Sequence, residues 1–279
     1  MLLVHTSITR SYVQLCQVSR SFRQTVLDMS WLFTEADWDC WPIPLLDLWC
    51  QRARAQPLTI SLHELTMYNL EVGWAPELKA LLESCSRRWG TLILGFSPEF
   101  YSENTIRFLE RFLQRACPLL HTIHGQQRYT DSRTTLHLYP DYLPSLQTLC
   151  LGGIWPIFST SSTSVTEFTC TCTCEEDWLP LLDAVKGCHL IQKLTINSSG
   201  YHKGFGDDLI TLSAITDKAV LSSLTHLEIE GMNIDSAPAI SQFLSQCDIP
   251  KLERLTVRLV RRSTKPRVFE SLCRDVVRH

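Results

Sequence analysis

The stretches that decide the fold are IQKLTI at 191–196 and LTHLEI at 224–229. Both follow the form apolar-x-x-apolar-x-apolar. Side chains two residues apart in a strand point to the same side, so the last two apolar positions of each stretch predict a strand.

The same form recurs along the chain. It is found in LQTLCL at 146–151, VTEFTC at 165–170 and LERLTV at 252–257, and earlier in WGTLIL at 89–94 and, loosely, AQPLTI at 55–60. The first positions of the five later segments are 19, 26, 33 and 28 residues apart. A leucine-rich repeat uses roughly 20–29 residues for a strand, a return segment and turns. The spacing therefore predicts repeats.

Between these segments the apolar spacing becomes helical. The predicted stripes contain Ile106, Leu109, Phe112 and Leu113; Trp178, Leu181, Leu182 and Val185; Leu78, Leu81 and Leu82; and Ala239, Phe243 and Leu244. Strands that alternate with helices over short connections imply parallel pairing through right-handed crossovers. We predict an α/β fold, an irregular leucine-rich-repeat solenoid with parallel strands.

This register predicts which residues form the core. Those expected to be buried in adjacent parallel strands are Leu149, Leu151, Leu194, Ile196, Leu227, Ile229, Leu255 and Val257. The 33-residue interval contains a glycine-rich insertion at 198–206, and insertions of this kind map to one face of a solenoid. Its predicted partner-contact residues are Tyr201, His202, Lys203 and Phe205.

Composition and charge limit the classes of function. The 279 residues are 44% hydrophobic and 20% charged, which predicts a folded chain. A formal charge of −3 gives no electrostatic reason for a nucleic-acid or anionic-membrane partner. No apolar run reaches the roughly 18–20 residues of a spanning helix, and the first residues are too short an apolar stretch for a signal peptide. With the 12 cysteines interpreted as reduced thiols, we expect a cytoplasmic or nuclear protein, or both.

The sequence nominates no catalytic, cofactor or metal residues. The cysteines of CTCTC at 170–174 could suggest zinc, but alternate positions on a straight strand lie about 6.6 Å apart, too far for three sulfurs around one ion. We interpret Cys170 as a small core residue. His121 and His124 lack a second ligand pair, and no hydrolase motif occurs. The basic residues at 258–267 predict a solvated edge or a contact for an acidic partner.

The N-terminal segment carries a family resemblance. Leu15, Val18, Phe22 and Val26 have the spacing of an amphipathic helix, and Arg20 and Arg23 flank Phe22. This pattern resembles the second half of an F-box. PLTISL at 57–62 and SCSRRW at 84–89 are similar to segments of basidiomycete F-box-like proteins, a fungal family. The resemblance implies a partial F-box-like helical segment at 1–43 and a leucine-rich-repeat-like solenoid at 44–279.

The resemblance also implies a function. Family members are non-enzymatic substrate receptors of Skp–cullin–F-box ubiquitin ligases, in which the helical segment binds a Skp-type adaptor and the repeats hold a protein substrate for degradation. The adaptor-binding residues that match the family pattern are Leu15, Val18, Phe22 and Arg23. An F-box normally opens with a Leu-Pro-x-Glu helix, which is not found before Ser11. The alternative is a ligase-independent interaction scaffold.

Overall fold

A computed structural model describes residues 19–36, 38, 41–63, 73, 75–96, 103–127, 134–159, 164–172, 177–198, 218–232 and 237–259. These residues form a mixed α/β fold with a mostly parallel sheet of eight strands and six α-helices. The helices are α1 Arg20–Asp28, α2 Ile43–Arg52, α3 Pro76–Cys85, α4 Glu103–Leu113, α5 Trp178–Lys186 and α6 Ala237–Ser245. None of the helices in these ranges is long and apolar enough to cross a membrane.

Twelve strands accompany the helices. They are β1 Leu58–Leu62, β2 Trp89–Phe96, β3 Thr122–Gln127, β4 Thr134–Leu138, β5 Thr148–Gly152, β6 Ile154–Phe158, β7 Glu167–Cys172, β8 Lys193–Ser198, β9 Ala219–Val220, β10 His226–Met232, β11 Cys247–Asp248 and β12 Arg254–Leu259. The chain divides into two compact units, one of residues 1–124 and 142–145 and the other of residues 125–141 and 146–279. The domain boundary at 43/44 stays a prediction.

In the first unit, β2 lies between β1 and β3. β1 and β2 pair in parallel with Ile60 opposite Leu92, and both side chains are fully buried. The register shifts between Leu58 and Thr59, where Gly90 is the extra residue of β2. A Cβ on Gly90 would lie 2.8 Å from the Cβ of Pro57, so only glycine fits between these strands without a displacement.

The first described helix begins at Arg20. Ser19 is extended (φ −157°, ψ 162°), and its hydroxyl accepts a hydrogen bond from the Phe22 N–H at 3.1 Å, an N-cap that starts α1 at Arg20. One continuous helix from Leu15 to Val26 is therefore wrong, because the N-cap geometry of Ser19 interrupts it. Val26 is buried as predicted.

The other helical stripes are confirmed where their side chains are described. The predicted residues of α3, α4 and α5 are all buried. α5 ends at Lys186 with Gly187 as its C-cap, and α4 ends at Leu113. In α6, Phe243 is buried and Leu244 half-buried, while the side chain of Ala239 lies outside the described set.

The second unit contains the five clearer repeat segments as strands in chain order, β5-β7-β8-β10-β12. Successive strands are parallel and in register, so one line of apolar side chains crosses the sheet through Leu149, Phe168, Leu194, Leu227 and Leu255. A second line contains Leu151, Cys170, Ile196, Ile229 and Val257. The first four members of each line are at most 1% exposed, which confirms six of the eight predicted core residues.

The prediction of full burial is wrong for Leu255 and Val257. Both are half-buried, because their strand, β12, pairs only with β10 among the described residues. The contrast with Leu227 and Ile229, which have a described strand on both sides, follows from position in the sheet. The segment after 259, where we predict a helical cap, lies outside the described residues.

A repeated backbone contact sets the register of this sheet. The carbonyl of the second residue of one segment accepts hydrogen bonds from the N–H groups of the second and third residues of the next, at 2.7–3.1 Å. The acceptors are Gln147, Thr166, Gln192 and Thr225. Since the same residue positions pair at each step, every strand begins at the same level as its neighbour.

Glycine occupies the strand-to-turn corner in two repeats. Gly153 and Gly231 each stand two residues after the last apolar position and have φ of +70° and +74°, a conformation that favours glycine. In these two segments the turn therefore depends on the conformational freedom of glycine. Two further parallel pairs, β4 with β6 and β9 with β11, belong to the same unit, and α5 contacts β6 and β9.

Candidate protein-interaction surfaces

The open side of the second unit's sheet is a candidate interaction surface, which we call the polar sheet face. Its side chains alternate with the buried apolar ones and form three rows across the strands. The rows are Thr148, Glu167, Lys193, His226 and Arg254; Cys150, Thr169, Thr195, Glu228 and Thr256; and Gly152, Thr171, Asn197, Glu230 and Arg258. Most of these residues are half-buried or exposed, whereas the apolar lines between them are closed to water on β5, β7, β8 and β10.

The polar sheet face is divided by chemistry. Uncharged residues predominate on β5, β7 and β8, while charged side chains concentrate on β10 and β12. The charged residues are Glu167, Glu228 and Glu230 against Lys193, Arg254 and Arg258, so the face has no net formal charge with His226 neutral. Such a surface offers hydrogen-bond donors and acceptors of both kinds, which suits a polar protein partner better than a polyanion.

Arg258 lies between two carboxylates on the neighbouring strand. Its guanidinium forms an ion pair with Glu228 at 3.4 Å and a hydrogen bond with Glu230. The Arg258 side chain is 67% exposed, and exposed ion pairs contribute about 0–1 kcal/mol to stability. These charges therefore contribute more to the surface potential than to the fold.

Thr195 occupies the centre of the polar sheet face. It lies on β8 between Thr169 and Glu228 and is 9% exposed. In the same row, β5 carries Cys150 and β12 carries Thr256. Burial and, to a smaller extent, the nearby Cys170 thiol raise the pKa of Cys150, so this thiol is neutral and behaves as a small side chain. Four of the six charged residues of the face thus lie to one side of Thr195, on β10 and β12.

A second candidate surface, here called the helical surface, lies in the first unit on α1, the 3-10 turn Ser30–Phe33 and α2. Its members share large apolar side chains that are exposed to solvent: Phe22, Met29, Trp31, Leu45 and Leu48. Trp31 is the most exposed of these, at 62%. The 3-10 turn contacts α2, so Trp31 and the two leucines lie on adjoining elements. Exposed apolar side chains on adjoining elements are a common feature of interaction sites.

Buried aromatic contacts hold the helical surface in place. Phe33 packs edge-on against Trp49 of α2, with ring centroids 4.6 Å apart, and the Trp49 indole N–H donates to the Glu35 carbonyl at 2.8 Å. Trp38 is 3% exposed and donates its indole N–H to the Thr59 carbonyl of β1 at 3.3 Å. These contacts fix the turn that presents Trp31, so its exposure is imposed by its anchored neighbours.

The predicted site residues are only partly described. Phe22 and Arg23 lie on the exposed part of α1, whereas Leu15, Val18 and the loop residues Tyr201, His202, Lys203 and Phe205 lie outside the described residues. The site assignments therefore stay predictions. The sequence analysis did not single out Leu45 and Leu48, although α2 contains more apolar residues than its buried face, formed by Leu46 and Cys50, requires.

Two cysteines of β7 belong to the core of the second unit. Cys170 and Cys172 are 1% and 3% exposed, which confirms the interpretation of Cys170 as a core residue, and Cys174 lies outside the described residues. Within the described ranges, no three His, Cys, Asp or Glu side chains are grouped as a metal ion would require.

Comparison with protein-family models, with curated proteins and with solved structures finds no match for this chain.

Proposed function

We propose that this protein is a non-enzymatic recognition module that resembles the substrate receptor of a Skp–cullin–F-box ubiquitin ligase. The polar sheet face holds a protein substrate, and the helical surface docks on a Skp-type adaptor. The mechanism is positional, since the chain holds the target while other ligase subunits perform the ubiquitin transfer.

We further propose that the strands of residues 44–279 stack as an irregular leucine-rich-repeat solenoid. Two features of the second unit support this architecture. The strand order follows the chain order, and the paired carbonyl contacts repeat from segment to segment in the same position. In a stack of repeats, each repeat contacts mainly the repeats next to it. A strand order that follows the chain order is what such nearest-neighbour pairing produces.

The single observation that carries the recognition function is the open polar sheet face. A doubly wound α/β sheet is covered by helices on both sides and has apolar residues on both. Here the strands alternate between fully buried apolar side chains and mostly accessible polar ones, as at the buried Leu194 and Ile196 flanked by Lys193 and Asn197, although Thr195 between them is only 9% exposed. An accessible polar face without grouped metal ligands among the described residues suits binding better than chemistry.

The adaptor assignment rests on the helical surface together with the F-box-like pattern around Phe22. The exposed apolar surface of Trp31 and Leu48 is removed from water only if a partner covers it. Aromatic anchors dominate the binding energy of many interfaces. The ligase-independent scaffold is the alternative, and it uses the polar sheet face without the helical surface.

Calorimetric measurement of the affinity between a purified Skp-type adaptor and the full chain tests the adaptor assignment. We expect binding by the wild type, a loss of about tenfold or more in affinity for Trp31→Ala or Leu48→Ala, and no change for the control Leu190→Ala. Leu190 is a 46%-exposed leucine of the second unit. Absence of binding by folded wild-type chain rejects the ligase assignment and favours the scaffold.

A second experiment tests the polar sheet face. Proteins captured by the wild-type chain are compared with those captured by Thr169→Arg, which adds bulk and charge beside Thr195, and by Leu190→Ala. We expect Thr169→Arg alone to lose its specific partners while keeping the adaptor. Equal capture by all three chains contradicts recognition through this face.

A further inference from the structure

Two cysteines from different helices meet inside the first unit. Cys50 lies near the end of α2 and Cys85 is the last residue of α3, and their side chains are hydrogen-bonded to each other. Both are free thiols, 6% and 4% exposed. A pair of adjacent thiols can form a disulfide without a large movement of the backbone if its geometry approaches the required S–S distance of about 2.05 Å.

The hydrogen bonds distinguish the two sulfurs. The hydrogen bond between the two thiols is the first cause that raises the pKa of Cys50 and lowers that of Cys85. The Trp89 indole N–H donates to the Cys85 sulfur, at 3.4 Å, and further lowers its pKa, while the protonated Cys85 thiol donates to the Leu82 carbonyl at 3.4 Å. The indole donor directed at the Cys85 sulfur stabilises a negative charge on it. Cys85 is thus the nucleophile of the pair.

A partly buried arginine adds positive charge beside both thiols. Arg88 donates from Nη1 to the Cys50 carbonyl at 2.9 Å. Its positive charge further lowers the pKa of Cys85, and for Cys50 it opposes the overall rise in pKa. Its Nη2 is buried and has no hydrogen-bond partner in the described part of the chain. A buried guanidinium N–H without an acceptor favours an anionic group nearby, and a Cys85 thiolate is such a group.

Other buried cysteines show what burial alone does. Desolvation raises the pKa of Cys117 to about 11 and the pKa values of Cys188 and Cys247 to about 12. Those thiols stay protonated and unreactive at neutral pH. At Cys85, which is also buried, the neighbouring thiol, indole and guanidinium lower the pKa of the thiol instead.

We propose that Cys50 and Cys85 form a redox-active dithiol that a small hydroperoxide oxidises to a disulfide between α2 and α3. The Cys85 thiolate attacks the peroxide O–O bond and becomes a sulfenic acid, with the leaving oxygen released as water after protonation. The Cys50 sulfur then attacks the Cys85 sulfur, the S–S bond forms and the sulfenic oxygen leaves as a second water. The two electrons lost by the sulfurs reduce one peroxide, and a dithiol reductant restores both thiols by exchange.

Oxidation of the intact chain tests the proposal. The full-length protein is treated with hydrogen peroxide and quenched, and its mass and tryptic peptides are analysed. We expect a loss of two hydrogens and a linked pair of peptides containing Cys50 and Cys85, in the wild type and equally in the control Cys117→Ser. Cys50→Ser should instead accumulate a sulfenic acid at Cys85 that dimedone traps, and Cys85→Ser should form neither product. Disulfides at other cysteines only, or peroxide reaction of Cys85→Ser at the wild-type rate, would overturn the assignment.

A second variant keeps the test decisive if a serine variant fails to fold. Trp89→Phe keeps an aromatic side chain, smaller than the indole, and removes the N–H donor to Cys85. The thiolate fraction at neutral pH falls about tenfold for each unit by which the thiol pKa rises. We therefore expect slower disulfide formation at pH 7 and recovery of the wild-type rate at higher pH. An unchanged pH profile in the folded variant contradicts the proposed role of Cys85 as the nucleophile.

Discussion

Leu227→Ala tests the register of the second unit at its centre. Leu227 is 1% exposed and lies between Leu194 on β8 and Leu255 on β12. The substitution removes three carbon groups, worth about 0.8 kcal/mol each, for a transfer loss of about 2.4 kcal/mol. A cavity between two paired strands adds to this, so we expect the free energy of unfolding to fall by about 2.5–5 kcal/mol.

Urea unfolding followed by circular dichroism measures the change, with the slope of the transition as a check on cooperativity. Leu255→Ala is the matched control, because the same residue type at the same register position is only half-buried on β12. It should cost roughly 1 kcal/mol, in proportion to the smaller area it covers. A loss below about 0.5 kcal/mol for Leu227→Ala is typical of a surface position and would refute the register.

Three further predictions concern separate parts of the chain. Gly90→Ala should destabilise the first unit by about 1–3 kcal/mol, measured by thermal unfolding, since the added methyl group would meet the Cβ of Pro57 at 2.8 Å; unchanged stability would contradict that packing. The rate of Cys85 alkylation by iodoacetamide should reach its plateau at a pH below the usual thiol midpoint of about 8.5, because the pKa of Cys85 is lowered. The alkylation rate of Cys117 should still rise at pH 10, because its pKa is about 11. Coincident pH profiles for the two cysteines would count against a Cys85 thiolate. Glu230→Gln should change stability by less than about 1 kcal/mol in urea, since its partner is exposed.

The repeated apolar positions were enough to predict five strands of the second unit, β5, β7, β8, β10 and β12, but not β4, β6, β9 and β11. The alternation of Leu194 and Ile196 with polar residues requires a one-sided sheet, and the short connections require parallel pairing. The sequence does not show the double hydrogen bond to the carbonyls of Thr166 and Gln192, because backbone groups are the same at every residue. The order of the strands in the sheet could be inferred only from the repetition.

Predictions that depended on neighbouring elements were less successful. The apolar pattern could not show that Val257 would have a described strand on one side only. It also could not show that Ser19 would be the extended N-cap of a helix that begins at Arg20. Cys50 and Cys85 lie on two different helices, and nothing in their sequence spacing predicts that the two thiols meet. The exposure of Leu48 could be suspected from the surplus of apolar residues in α2, but which of them face water depends on how the helix packs.

The most direct test of the central claim is a methyl-NOE measurement on the full chain with labelled isoleucine, leucine and valine. The account predicts contacts between the methyl groups of Leu194 and Leu227 and between those of Ile196 and Ile229, which face each other on β8 and β10. Contacts that instead join Ile196 to Leu227 as nearest neighbours, or the absence of both predicted pairs, would contradict the in-register stack and with it the open polar sheet face.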